Sequence, residues 1–169
     1  IYMEGKDYHS MKPEELRKHI AMVPQQVNLF SGTIRDNLLL ADPDADDETL
    51  MEAIKEAGLL KFVQSLEKGL DSDVGNAGAS LSGGQRQKIG IARALLSKAE
   101  YMIFDEATSS VDPESEKEIW ETIGHLAHTR TLIIISHRMS SVRSADCIYV
   151  LKDGKVAQQG NHDTLMAQD

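Results

Sequence analysis

Apolar residues along this chain recur at two periods, and the switches between them mark out the elements. Ile20-Ala-Met-Val23 is a short apolar run stopped by Pro24, which reads as a buried strand. Tyr101-Met-Ile-Phe104 and Thr131-Leu-Ile-Ile-Ile135 read the same way. Between these two, Ile119, Ile123, Leu126 and Ala127 fall at helical spacing within Glu114–Ala127. A crossover helix of that length makes its flanking strands parallel and the connection right-handed. From Thr33 to about Leu66 the signals are again helical. Asp46-Asp47 put acid at a helix start, Leu50, Ile54 and Ala57 form its apolar stripe, and Gly58 ends it. Pro13-Glu-Glu-Leu-Arg-Lys18 opens with proline at a first helical position. Ile89, Ala92, Leu95 and Leu96 make one apolar face of a helix after Leu81-Ser-Gly-Gly-Gln85. Ile1 to Met3 reads as a strand remnant, followed by Gly5 and a charged loop. Near the other end, Ile148–Leu151 and Lys155–Gln158 flank Asp153-Gly154, a two-residue hairpin signal.

This order predicts an α/β fold: a mostly parallel sheet flanked by helices, with an inserted α-helical subdomain and a C-terminal β-hairpin. The α/β core is expected over about 1–26 and 82–169, and the helical subdomain with its connecting loops over about 27–81. The 169 residues suffice for one core. A composition of 41% hydrophobic and 27% charged residues is ordinary for a globular domain. No run approaches the roughly 18 apolar residues of a membrane span. The first residues are charged, unlike a signal peptide. Any membrane connection is therefore expected from a partner or from another part of the protein. The net charge of −9, with basic residues scattered and Asp42 to Glu56 acidic, weighs against nucleic acid as a partner. The single cysteine, Cys147, forms no internal disulfide, and reads as a small buried hydrophobe in a strand over Asp146–Leu151.

Three apolar strands each end by delivering polar residues: Gln25, then Asp105 with Glu106, then Ser136 with His137. In an open parallel sheet, ligands bind at the carboxyl ends of the strands. Each residue alone also has a bland reading. Gln25 fits a solvated loop, Asp105-Glu106 a helix cap, and His137 a hydrogen-bonded structural imidazole. Together, in this order, they form a catalytic inventory of amide, carboxylates and imidazole. The sharpest signal is Leu81-Ser82-Gly83-Gly84-Gln85. Two glycines at a helix start bare the backbone N–H groups, and the helix dipole adds positive charge that suits a phosphate.

These residues resemble the motifs of the ABC transporter ATPases. Leu81-Ser-Gly-Gly-Gln85 is similar to the signature motif, and Tyr101-Met-Ile-Phe-Asp-Glu106 to Walker B with its glutamate. Ser109-Ser-Val-Asp112 resembles the D-loop, Gln25 the Q-loop glutamine and His137 the switch histidine. Leu29–Asn37 and Val74–Ser80 are similar to exporter-type domains, which are usually fused to a membrane-spanning half. The resemblance implies the P-loop NTPase fold of ABC type and an ATPase that powers export, with ATP and Mg²⁺ as cofactors. It implies that Asp105 and Gln25 serve the metal, and that Glu106, His137 and Gln25 are catalytic. Ser82, Gly83, Gly84, Gln85 and Asp112 would bind nucleotide across a head-to-tail dimer. The implied partners are a second ATPase domain and a transmembrane domain, at the cytoplasmic face of a membrane, with no nucleic acid. The alternative is a soluble ABC ATPase acting in DNA repair or translation.

Two departures stand out. The sequence contains no Gly-x-x-x-x-Gly-Lys-Ser/Thr, the Walker A phosphate loop, so a truncated chain is expected, and these residues alone are expected to be inactive. Asn76 stands where exporters commonly carry Glu in a loop that touches the membrane domain.

Overall fold

In a computed structural model of the chain, residues 2–3 and 5–167 are described. The chain divides into two compact units, Ile1–Ile133 and Ile134–Asp169.

In the first unit, β1 (Tyr2–Met3) and β2 (Lys6–Asp7) pair antiparallel around Gly5. Ile1, part of the expected strand remnant, lies outside the described residues. Helix α1 (Pro13–His19) begins with proline as expected and leads into β3 (Ile20–Val23). The helical block follows as α2 (Ile34–Leu39), α3 (Asp47–Glu56) and α4 (Leu60–Ser65). Thr33 and Asp36 form a reciprocal capping box at the start of α2, and Asp46 caps α3. Gly58 takes φ +71° where the stripe ends, the left-handed conformation that stops a helix without a Cβ penalty. Arg35 ties this block together, donating from Nε to Asp71 at 2.7 Å and pairing with Asp47.

Helix α5 (Gly83–Leu96) is the spine of the unit, packing against α2, α3 and β3. The expected single apolar face is a correction: Gln87, Lys88, Gly90, Ile91 and Ala94 are buried as well. The helical block and the sheet enclose α5 from more than one side, and Gly90 lets the loop at Val27 approach it. Lys88 is neutralised inside this packing, pairing with Glu118 and donating to the Gly58 carbonyl at 3.3 Å.

β4 (Tyr101–Asp105) pairs parallel with β3, Ala21 opposite Met102 and Val23 opposite Phe104. These four residues are buried and form the sheet's contribution to the core. α6 (Pro113–Leu126) also packs on α5 and buries Ile119, Ile123 and Leu126, while Ala127, expected on that stripe, is exposed at the C-cap. β5 (Thr131–Ile135) lies next to β4, so the sheet runs β3-β4-β5. The expectation of fully buried strands needs correction here. Met22, Ile133 and Ile135 are exposed, the last two at 47% and 49%. Parallel strands are fully buried only where helices cover both faces, and among the described residues Met22, Ile133 and Ile135 lack such cover.

In the second unit, α7 (Met139–Val142) precedes β6 (Ile148–Lys152) and β7 (Lys155–Gly160), an antiparallel hairpin, and α8 (His162–Met166). The turn residues Asp153 and Gly154 both have positive φ, 50° and 74°, as a two-residue hairpin turn matching strand twist requires. Cys147 corrects another expectation: it lies before β6, exposed, 3.7 Å from the Gln159 amide nitrogen. A two-stranded hairpin has no second layer to bury its side chains, and Leu151 at 71% exposure shows the same effect. Among the described residues no helix is long and apolar enough to cross a membrane.

Candidate functional site

The parallel register fixes which end of the sheet carries chemistry. Val23 and Phe104 are opposite each other, so Gln25 and the pair Asp105-Glu106 leave β3 and β4 at the same carboxyl edge. Gln25 is exposed in the loop beyond Pro24. Asp105 is the last residue of β4 and half-buried. Glu106, also half-buried, has φ +47°. A non-glycine residue in the left-handed region costs on the order of 1–3 kcal/mol and persists where surrounding structure holds it. Here its carbonyl accepts the Ser109 N–H at 3.0 Å, and the next two residues, Ala107 and Thr108, are buried. The chain thus turns sharply at Glu106 and sets its carboxylate at the strand end. The Ser109 hydroxyl is buried in the same turn and has no hydrogen-bond partner among the described residues.

The glycine-rich turn is built as the start of α5. Ser82 is the N-cap: its hydroxyl accepts the Gln85 N–H at 3.1 Å, and the Gln85 side-chain oxygen accepts the Ser82 N–H at 2.9 Å. Helix geometry gives the N–H groups of Gly83 and Gly84 no intrahelical acceptor. The first turn holds no acidic residue. Gly84 has a packing reason as well, because a Cβ there would stand 2.3 Å from Ser115 Oγ. A Cβ on Gly83 would meet the Ser110 carbonyl at 3.2 Å. The turn at Ser82–Gln85 and the loop at Ser109–Asp112 are therefore in close contact. Gln25, Gly83, Ser110 and Val111 line one cavity of about 260 Å³. Ser82, Gly84 and Gln85 also border a cleft of about 690 Å³ with Lys88, Glu114 and Glu118.

Asp112 is the N-cap of α6, its Oδ1 accepting the Ser115 N–H at 2.9 Å. That N–H, and after it the Ser115 hydroxyl, hold the Asp112 carboxyl below the usual carboxylate range. Gln25, Ser82–Gln85, Asp105, Glu106 and Asp112 all belong to the first unit. His137 belongs to the second, exposed and two residues beyond Ile135. Its turn is shaped by Ser136, whose hydroxyl accepts the Arg138 N–H at 3.0 Å and lies 3.3 Å from Ser141 Oγ. Asn76 opens a short 3₁₀ turn and accepts a hydrogen bond from Ser31 at 3.4 Å. The two exporter-like segments meet there, with Val74 N–H donating to the Gly32 carbonyl at 2.9 Å. Sequence reading missed Gln87, a buried amide in α5 whose partner lies far away in the chain.

Among the described residues no group of three or more His, Cys, Asp or Glu forms a resident metal site. Mg²⁺ carried by a nucleotide would take one or two protein carboxylates beside phosphate oxygens and water. Asp105 offers one such carboxylate at the strand edge.

The parallel sheet with acids at its carboxyl edge, the capped glycine turn and the helical insertion match an α/β fold of the P-loop NTPase class. A family model described as ABC transporter matches residues 1–109. The chain belongs to the ABC transporter family. It is 41% identical over 168 residues to the ATP-dependent lipid A-core flippase 1 of Colwellia psychrerythraea, covering 99% of this chain and 28% of the flippase. It is 43% identical over 166 residues to ABC transporter B family member 1 of Arabidopsis thaliana, covering 98% of this chain and 13% of that protein. A solved bacterial Atm1-family ABC exporter with ATP bound superposes with a TM-score of 0.90 at 36% identity, over 98% of this chain and 29% of the exporter chain. The chain thus spans less than a third of the length of each.

Proposed function

We propose that this chain is the ATP-hydrolysing part of an ABC exporter, working as one of two domains that close head to tail on ATP. The observation that carries the reading is the pairing of two features in one unit. Glu106 is held in a left-handed turn beside Asp105 at the sheet's carboxyl edge, and α5 starts with bare, acid-free amides. The first suits proton abstraction from water; the second, with no acid within its own first turn though Glu114 and Glu118 border the cleft beside it, suits a phosphate.

Glu106 is the general base that polarises the attacking water. Asp105 and Gln25 face the metal side of the nucleotide, and Gln25 also orients the water. His137 contacts the γ-phosphate and offsets charge that grows in the transition state. Mg²⁺ when bound neutralises phosphate charge. Ser82, Gly83, Gly84 and Gln85 act on the ATP presented by the opposite domain, and Asp112 lies in the turn that couples the two sites. The β- and γ-phosphates of the chain's own ATP also need a glycine-lysine cradle, which the 169 residues do not contain, so the activity is that of the whole protein. The partners are a second ATPase domain and a transmembrane domain, and the working place is the cytoplasmic face of a membrane. Within the domain, residues 27–81 form the helical subdomain that carries the exporter-like loops. The flippase and transporter relatives support transport over a role in DNA repair or translation.

Replacing Glu106 by glutamine in the full-length protein keeps the side chain's shape and removes the base. Turnover is expected to fall by about 10²–10⁴-fold, with ATP affinity unchanged and ATP-bound dimers accumulating. Steady-state phosphate release and equilibrium nucleotide titration measure the two. Turnover within a few-fold of the parent would remove Glu106 from this role.

A further inference from the structure

The loop that carries Gln25 is fastened along one face of α5 at three points. Gln87, only 3% exposed, donates from Nε2 to the Pro24 carbonyl at 2.9 Å. At Gly90 the missing side chain makes room for Val27, since a Cβ there would stand 2.5 Å from Val27 Cγ2. Arg93 donates from Nη1 to the Asn28 carbonyl at 2.9 Å. Residues 87, 90 and 93 are three apart and form one row on the helix. The carbonyls they hold, at 24 and 28, bracket Gln25.

Each contact answers a local need. Pro24 lies beyond the end of β3, where the strand ladder no longer serves its carbonyl, and Gln87 of α5 supplies a donor. A glutamine is long enough to reach it from α5 and short enough to stay rigid under burial. Gln87 also sits two residues past Gln85, close behind the capped turn that begins at Ser82. A displacement of the start of α5 therefore carries the Pro24–Gln25 peptide with it.

We propose that Gln87 is a positioning residue for Gln25, and that the row 87-90-93 makes α5 and the glutamine loop one mechanical piece. The inference rests on the roles assigned above to Gln25 and to the turn at Ser82. On that reading the turn serves the partner's nucleotide while Gln25 serves the chain's own. Gln87 is then the link by which occupancy of one site adjusts the water-orienting amide of the other.

The test is a double-mutant cycle on ATP turnover by the full-length protein, using Gln87→Met, Gln25→Ala and the pair. Methionine keeps the length and removes the donor. Gln87→Met is expected to lower kcat by about 10- to 100-fold with KM within about twofold, the signature of misplacing a catalytic group rather than losing affinity. The pair should be no slower than Gln25→Ala alone, because the link has nothing left to position. Losses that multiply across the pair, or parental kcat in Gln87→Met, would overturn the proposal. A second route leaves the Gln87 amide in place: Gly90→Ala pushes Val27 off the helix and should slow turnover in the same way, and adding Val27→Ala should restore it. A Gly90→Ala loss that persists in that pair would also overturn it. Glu106→Gln measured alongside fails separately: parental turnover there overturns the general-base assignment, while the cycle still reads whether residues 25 and 87 act through each other.

Discussion

Helices α5 and α6 are 14 residues each, pack against one another, and begin with the same device. In both, the N-cap side chain accepts the N–H three residues on, Ser82 from Gln85 and Asp112 from Ser115. What surrounds the cap differs. In α6 the cap is a carboxylate, the first helical residue is Pro113 with no N–H to offer, and Glu114 and Glu116 add acid to the first turn. The positive end of that helix is already compensated. In α5 the cap is a neutral hydroxyl, Gly83 and Gly84 shield nothing, and the first turn has no acid. Capping alone therefore does not make an anion receptor. Of the two helix starts, α5 alone combines a satisfied cap with a first turn of glycines and no acid of its own, the features that suit an anion.

The sharpest way to break that contrast is to give α5 the cap of α6. Ser82→Asp keeps an N-cap acceptor of equal rank, so folding should be undisturbed. It also places a carboxylate where a phosphate would sit. Turnover of the full-length protein is expected to fall by about 10²-fold or more, the size seen when a transition-state donor is lost. The unfolding midpoint and the nucleotide affinity of an isolated domain should hold. Parental turnover would mean that the open end of α5 takes no part in hydrolysis.

Much of this contrast could be read from the sequence, because its signals are local. Ser82 with two following glycines, and Asp112 before Pro113, declare two different helix starts within a few residues each. The hairpin at Asp153-Gly154 is legible for the same reason, whereas the pairing of β3 with β4 joins residues about 80 positions apart and has no local mark. Other features depend on partners distant in the chain. Gln87 sits between Arg86 and Lys88 and looks like a solvated polar position, yet its acceptor is Pro24, 63 residues away. The all-round burial of α5 depends on what encloses it, and an apolar stripe counted along one helix does not show that. The apolar runs of the strands point to burial, but burial needs cover, and the exposed Ile133 and Ile135 lack it here. Cys147 was misplaced on the same ground. The left-handed turn at Glu106 has no sequence mark, since nothing in Asp-Glu-Ala-Thr demands a positive φ.

A second experiment asks whether the two helix starts are mechanically joined. Gly84→Ala would bring a Cβ to 2.3 Å from Ser115 Oγ and 2.5 Å from Ser115 Cβ. The helices must then part, at a cost of about 1–3 kcal/mol typical of overpacking. Ser115→Gly removes both clashing atoms and should recover most of that loss, less the roughly 1 kcal/mol that glycine costs inside a helix. Ser115→Ala leaves the Cβ clash and should rescue little. Denaturant midpoints of the three combinations decide it. Equal recovery by glycine and alanine would show that the contact is not with Ser115 Cβ.

The smallest effect concerns the closed end itself. Asp112 has its carboxyl held below its ordinary value of 3.8, first by the Ser115 N–H and then by the Ser115 hydroxyl. A carboxylate favoured by the fold contributes stability that is fully present above the unfolded value. That contribution is lost as pH falls through the lower, folded one. Asp112→Asn keeps an acceptor for the same N–H, because asparagine caps as well as aspartate, but it cannot titrate. At neutral pH the variant should be slightly less stable, having lost the interaction of charge with the helix dipole. As pH falls below about 4 the deficit should shrink, because the parent then loses the same charge. Unfolding midpoints of parent and variant across that range should converge on the acid side. Ser82→Asn, made in parallel, should show no such convergence, since α5 has no carboxylate at its cap to lose. Parallel curves for Asp112→Asn would mean that the Asp112 charge does nothing for its helix, and that the two N-termini differ through Pro113, the acids Glu114 and Glu116, and the glycines of α5 alone.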